Sequence, residues 1–379
     1  MTPKRLSCNS VLCHLRWGVR AVASALRAFR QRRPLRGGSL LVTLFGDAVA
    51  PHGGSLALGS LIALAAPFGL TERLVRTSAS RLTHDGWFHT RRIGRISVYR
   101  LTPVGKARSA DAALRIYEPP PELPHRTWTM VLMPAGLTIR DTPARELQWL
   151  GFGRMSPEVF VHPTCTPREV TGHLQLLGLS AGAVVVQAAL QSRADEQQLV
   201  QASWNLADFS ERYERLLRTF GPIDEALAQG QALSPADSFV VRTLLVHEYR
   251  RIVLRDPRLP TALLPDDWAG GRAYTLCQSL YARVFAASET HLHSVVSDAT
   301  GSAGAWHALD ASALGRFGGV LPQELLEREV VAATAPHATP RRRSRGTQPR
   351  APRSPEGSAG SRPMGACAPR SSRRATRDR

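Results

Sequence analysis
The chain has 379 residues, room for roughly two or three domains that each bury a core, which excludes a single small module. Its formal net charge of +19 sits at the two ends: residues 1–38 carry nine Lys or Arg and no acid, residues 336–379 carry twelve Arg against Glu356 and Asp378, and the stretch between is neutral overall. The cysteines Cys8, Cys13, Cys165, Cys277 and Cys367 are odd in number and form no CxxC pair, which argues against a disulfide framework or a zinc finger and fits a reducing cytoplasm.

Residues 1–37 form a basic extension in which Leu12, Leu15, Val19, Val22, Leu26 and Phe29 are spaced by three and four, the seam of an amphipathic helix. The seam either pairs with a second subunit or packs on the next domain, unless the working start of the protein lies further downstream. Arg16 and Arg20 cut it too short for a signal peptide. The uncharged run Ala48–Thr71 has the length of a membrane span, but Pro51, Gly53, Gly54 and Pro67 break it, so a cytoplasmic protein with no membrane contact is expected.

Residues 38–117 follow as one module. Helices are predicted over Leu40–Asp47, Leu56–Ala66 and Thr71 to about His84, with a "PHGG" turn between the first two. Strands Trp87–Arg92 and Ile96–Leu101 then turn at Gly94, and a fourth helix begins at Thr102. Three helices and a hairpin make a winged helix-turn-helix. Ser39–Tyr117 holds ten basic and four acidic residues, the electrostatic footprint of a nucleic-acid binder or else plain solvated surface.

In the third helix Leu74, Val75, Ser78 or Ala79, and Leu82 face inward. Glu72, Arg73, Arg76, Thr77, Ser80 and Arg81 are left outward or beside the seam. Such a helix enters the major groove, where Arg73 and Arg76 suit guanine and Thr77 or Ser80 a base edge or phosphate. Arg91, Arg92 and Arg95 crowd about the Gly94 tip, where a phosphate backbone or minor groove neutralises their mutual repulsion.

A linker, 118–127, precedes a middle region at 128–192 whose predicted order is β-α-β-β-α-β, the ferredoxin-like arrangement. Residues 193–300 read as an α-helical domain, with Phe239–Leu254 as its central buried helix. The role of 301–335 is open. The tail 336–379 has seven prolines and no aromatic, Leu, Ile or Val, so disorder is expected there. Three Ser/Thr-Pro pairs, Thr102-Pro103, Thr166-Pro167 and Ser234-Pro235, are read as helix starts. The fold class is thus α+β.

Chemistry-bearing motifs are few. "HEYRR", His247–Arg251, lacks the second histidine of a zinc protease helix. The run His247, Glu248, Arg250, Arg251, Arg255, Asp256 and Arg258 either holds an anionic ligand, through its histidine and arginines, or is a salt-bridged helix surface. "GLSAGA" matches a nucleophile elbow only loosely. Neither Cys8, Cys13 and His14 nor His162, Cys165 and His173 has the spacing of a known metal site. No catalytic residues, metal or cofactor are expected.

"GSLLVTLFGDAVAPHGG", "GLTERLVRTSASRLTHDGW" and "GRISVYRLTPVGKAR" resemble the N-terminal domain of the PaaX family, bacterial repressors of phenylacetate catabolism. "HEYRRIVLRDPRLPTALLPDDWAGGRAYTLC" is similar to that family's C-terminal domain. The resemblance runs from about Gly38 to His293. It implies a homodimer on a palindromic double-stranded DNA operator, released by phenylacetyl-CoA or a related aryl-CoA, with Glu72, Arg73, Arg76, Thr77 and Ser80 in the reading helix. The family's middle module is similar to a CRISPR-associated ferredoxin-like endonuclease, but "VLMPAGL" lacks the carboxylate that such cleavage needs. The rival readings are a metal-dependent nuclease and a non-specific nucleic-acid binder acting through the basic ends.

Overall fold
The structure, a computed structural model, describes residues 9–32, 37–119, 127–135, 142–176, 182–300, 306–310, 313 and 315–319. The chain divides into two compact units, Met1–Thr334 and Ala335–Arg379, and every described residue lies in the first. The tail, most of the linker and Ser180 lie outside the described residues.

Helix α1, Asn9–Arg30, buries Val22 and Phe29 and leaves Val19 47% exposed. The helices α9, Leu206–Ala228, and α10, Pro235–Val253, receive its apolar side. The Gly18 N–H donates to Gln231 Oε1 at 3.0 Å. The seam therefore packs chiefly on the C-terminal helical region, a partner not among the two expected, and touches the next module only through the turn Ala66–Phe68 among the main contacts.

The next module begins with α2, Gly37–Leu44, which continues as a π-helical turn, Phe45–Val49, and a 3₁₀ turn, Ala50–His52. The chain reverses at Gly53, whose φ of +92° favours glycine. The sequence reading placed a helix from Leu56. Instead Ser55–Ala57 forms a short strand, β1, and α3 starts at Leu58 and runs to Ala65. The cause is tertiary: β1 completes the open edge of β3, Ile96–Leu101, and a three-residue pairing leaves no periodic signal.

Helix α4, Glu72–His84, is capped by Thr71, whose hydroxyl accepts from the Leu74 N–H at 3.3 Å. Strand β2, Phe88–Ile93, pairs in antiparallel register with β3, and the sheet order is β1-β3-β2. The tip residue Gly94 has φ +58°. Helix α5, Pro103–Tyr117, starts at Thr102, whose hydroxyl accepts from the Gly105 N–H at 2.9 Å.

In the middle region β4 is Trp128–Leu132, α6 Thr142–Trp149, β5 Gly153–Arg154, β6 Val159–His162, α7 Pro167–Leu176 and β7 Val184–Ala188. The sheet is antiparallel in the order β5-β6-β4-β7. Strand alternation fixes its two faces. Val131 and Met133 pack on Leu147 and Val170, while Trp128 and Met130 pack with α8, Arg193–Ser203, through Leu199 and Val200.

The last long helix, α11, spans Ala269–Thr300 and packs along α9, α10 and α3. The helical region 193–300 is broken between helices, at Trp204–Asn205 and before and after α10. One apolar core runs from Val22 of α1 through Leu40, Phe68 and Val75 to Phe239, Tyr281 and Phe285. No single helix among the described residues is long and apolar enough to cross a membrane.

Candidate nucleic-acid interface and anion cavities
Helix α4 sorts its residues by face. Val75, Ser78, Ala79 and Leu82 are buried against the module, and α2 lies beneath them. Glu72, Arg73, Arg76, Thr77, Ser80 and Arg81 are all exposed. Arg76 donates from Nε and a terminal nitrogen to Glu72 Oε1 at 2.8 and 2.6 Å, one turn apart. Its planar fork is thereby held outward, ready to exchange one planar acceptor for another. Thr77 Oγ1 donates to the Arg73 carbonyl at 2.9 Å, which tethers the hydroxyl to its own helix.

The hairpin carries the second basic group. Strand β2 buries only Phe88, and Arg91, Arg92 and Arg95 are all exposed about the Gly94 tip. On β3, Val98, Tyr99 and Leu101 are buried, which anchors the hairpin to the module. Arg92 Nε donates to the Gly94 carbonyl at 3.2 Å. Arg91 and Arg95 have no ion-pair partner among the described residues.

The histidine and arginines of the 247–258 run are not brought together. His247 is buried, and its Nδ1 lies 2.9 Å from Thr43 Oγ1. That hydroxyl donates to the Ser39 carbonyl, so it accepts from His247 and from Arg250, the latter at 2.7 Å. Burial, with Arg250 and Arg251 nearby, pushes the His247 imidazole down to about 3. Arg258, at φ +52°, donates to the carbonyls of Glu118 and Pro119 at 3.2 and 2.6 Å. Only Arg251 and Arg255 share a cavity.

That cavity, about 650 Å³, has an apolar floor of Phe29, Leu216, Phe220 and Ile252 and an arginine rim of Arg32, Arg212, Arg215, Arg251 and Arg255. Helix α1 is one of its walls, and just past its end Arg32 pairs with Glu248 of α10 at 2.6 Å. A second cavity, about 730 Å³, opens where the module of α2 and α5 meets α6 and α10. Thr43, Trp87, Arg108, Arg115, Glu146 and Arg250 line it. Burial pushes the Arg115 and Arg250 guanidinium groups below their ordinary range.

At the second cavity, which Asp47 and Tyr117 help to line, begins a buried charged group that the sequence pattern does not announce. Asp47, 3% exposed, accepts from Tyr117 Oη at 2.6 Å, Tyr281 Oη at 3.0 Å, Arg242 Nε at 2.8 Å and Arg316 at 3.0 Å. Arg242, 1% exposed, also donates to Glu289 Oε1 at 2.5 Å and sits over the Phe285 ring at 4.5 Å. Burial opposes the charge on Arg242, but Asp47, Tyr281 and Glu289 outweigh it and hold the guanidinium well above its ordinary range. Burial likewise opposes ionisation of Glu289, yet Arg242 and His52 bring its carboxyl down to about 2. One signal in the sequence points there: Arg242 is a lone charge inside the apolar run "FVVRTLLV".

Comparison with known proteins places this architecture. Residues 36–105 match the family model described as PaaX-like protein, and residues 204–294 match the PaaX-like protein C-terminal domain. The transcriptional repressor PaaX of Escherichia coli (strain K12) is 35% identical over 301 residues, covering 77% of this chain and 94% of that protein. A solved structure, uncharacterized protein Rv0674 from Mycobacterium tuberculosis, aligns at 22% identity with a TM-score of 0.44, over 66% of this chain and 97% of that one. The matches to the two family models and the repressor define a transcriptional regulator rather than an enzyme. The chain belongs to the PaaX family.

Proposed function
We propose that this chain is a winged helix-turn-helix repressor that binds a double-stranded operator as a homodimer, and that an aryl-CoA such as phenylacetyl-CoA releases it. Its targets on this reading are genes of phenylacetate or related aromatic-acid catabolism. The observation that carries the DNA reading is the sorting of α4 and the hairpin: all nine candidate contacts are exposed, while the opposite face of α4 is buried and Phe88, Val98, Tyr99 and Leu101 anchor the base of the hairpin. The order β5-β6-β4-β7 supports the ferredoxin-like reading of the middle region, which serves as a spacer or dimer surface.

The effector reading rests on the arginine-rimmed cavity. Coenzyme A brings several phosphates and an aryl-CoA an apolar end, and the cavity pairs Arg251 and Arg255 with a floor of Phe29, Leu216 and Phe220. A ligand there releases DNA only if it binds the free form more tightly than the bound form. Helix α10 carries both the cavity wall and Arg242, whose Asp47 partner lies in the DNA-facing module. It is the element through which a shift passes.

Binding of the full-length protein to DNA from its own promoter region and to scrambled DNA, at near-physiological salt and with or without phenylacetyl-CoA, tests both parts. The expected result is promoter preference, lost in Arg73→Ala, Arg76→Ala, and release by the ligand, lost in Arg251→Ala, Arg255→Ala. Equal affinity for both DNAs sinks the reader. A ligand response abolished by Arg108→Ala and kept in the Arg251, Arg255 variant moves the effector to the second cavity.

A further inference from the structure
His52, Glu289 and His293 meet where the turn before β1 touches α11. We propose that these three side chains form a divalent-metal site of the zinc type, a role independent of the DNA and effector readings. The argument starts from a proton count. His52 Nδ1 lies 2.9 Å from the carbonyl oxygen of His307, which can only accept, so Nδ1 carries the hydrogen. The other nitrogen, Nε2, then presents a lone pair to Glu289 Oε2 at 2.9 Å. A carboxylate oxygen offers only lone pairs in return. Something positive belongs between them, either a proton or a metal ion.

The position of His293 selects the metal. It stands one turn beyond Glu289 on the same face of α11, and its Nε2 is 4.0 Å from the same Oε2. The three ligand atoms lie within 4.8 Å of one another. A proton bridging His52 and Glu289 has no use for that third group, whereas two imidazoles and a carboxylate are a familiar zinc set. With bonds of about 2.0–2.1 Å, ligand atoms of a tetrahedral ion stand roughly 3.3 Å apart. His52 and Glu289 need only open slightly, and His293, 47% exposed in its side chain, has freedom to swing inward.

The surroundings fit the same assignment. A metal-bound imidazole usually donates its other N–H to a carbonyl or carboxylate, as His52 does to His307. Arg242 occupies Oε1 of Glu289 and leaves Oε2 for a single bond to the ion. The Trp306 ring stacks on His52 at 4.3 Å and sits edge-on to His293 at 6.1 Å, walling one side. His52 is fully buried and His293 half open, so the ion enters from the His293 side and water completes its shell there. Once bound, the ion ties the turn at His52 to α11 and so clasps the DNA-facing module to the helical region.

The test uses tag-free, chelator-treated full-length protein titrated with Co²⁺, followed by displacement with Zn²⁺. The expected result is one equivalent of Co²⁺ with the visible absorption of a four-coordinate site, bleached by Zn²⁺, and a higher thermal midpoint with Zn²⁺. His293→Gln changes a partly exposed residue and keeps the helical circular dichroism, yet loses both the absorption and the Zn²⁺-dependent shift. A Cys8→Ser, Cys13→Ser variant retains both. Wild-type protein with neither signal holds a proton at this place and overturns the proposal, as does a signal unchanged in His293→Gln or lost in the cysteine variant.

Discussion

Arginine plays two opposite parts in this molecule. On α4 and the β2–β3 hairpin the guanidinium groups of Arg73, Arg76, Arg81, Arg91, Arg92 and Arg95 stand in solvent. At the junction of the same module with α10, Arg242 is enclosed and answered on every side by Asp47, Glu289, Tyr281 and Phe285. An exposed cation contributes little to folding and is available to a partner. A buried one binds no outside partner, but it fixes which helices meet. Composition counts the two kinds alike, and only burial separates their roles.

The comparison is broken most directly at Arg242. Arg242→Met leaves Asp47 and Glu289 buried beside fewer countercharges, and a loss of roughly 3–5 kcal/mol is expected in urea unfolding. A loss below about 1 kcal/mol means that water reaches Asp47. Acidification probes the same junction through His247. Burial holds its imidazole at about 3 and that of His162 at about 4, both below the ordinary 6.5. The unfolded chain therefore takes up protons first: stability is complete above pH 6.5 and falls as pH drops toward 4 and then 3. By pH 5 each histidine has cost about 2 kcal/mol. A urea midpoint that stays flat from pH 7.5 to 5 contradicts their burial, and His247→Gln removes that residue's share of the slope.

On the exposed side the effects move from stability to binding. Arg73→Ala, Arg76→Ala is expected to cost about 1–3 kcal/mol of operator discrimination per lost guanine contact, while the unfolding free energy in urea changes by only about 0.5 kcal/mol or less. Arg91→Ala, Arg92→Ala, Arg95→Ala weakens all duplexes alike, and the log–log salt slope falls by roughly 0.9 for each phosphate contact removed. A wing variant that changes sequence preference with an unaltered salt slope reverses the division of labour between helix and hairpin. Smallest is Glu72→Gln, which frees the Arg76 fork at a stability change of about 0.5 kcal/mol or less.

Much of this arrangement was legible in the residues. Thr102, Thr166 and Ser234 each start a helix, α5, α7 and α10, because a hydroxyl cap followed by proline satisfies the first turn from local groups alone. The faces of α4 followed from spacing, since Val75, Ala79 and Leu82 recur with the helical period. What failed to show was long-range. Strand β1 exists through pairing with β3, and Asp47 is buried because tyrosines and arginines up to 269 residues away close over it. The run 247–258 looks like one cluster, yet its side chains turn toward three different neighbours: Thr43, the Arg251 cavity, and the carbonyls of Glu118 and Pro119. Spacing along a chain determines a helix face but not what lies opposite it.

The distance in sequence between Asp47 and Arg242 has a consequence in time. A ribosome adding about 5–20 residues per second needs roughly 10–40 s to make the 195 residues that separate them. Throughout that interval the module of α2 to α5 has been synthesised but lacks the Arg242 countercharge for its buried carboxylate. Its final packing must await α10, the helix that also walls the arginine-rimmed cavity. A nascent or truncated chain that ends before α10 therefore holds an uncompensated carboxylate at the place where the two regions meet.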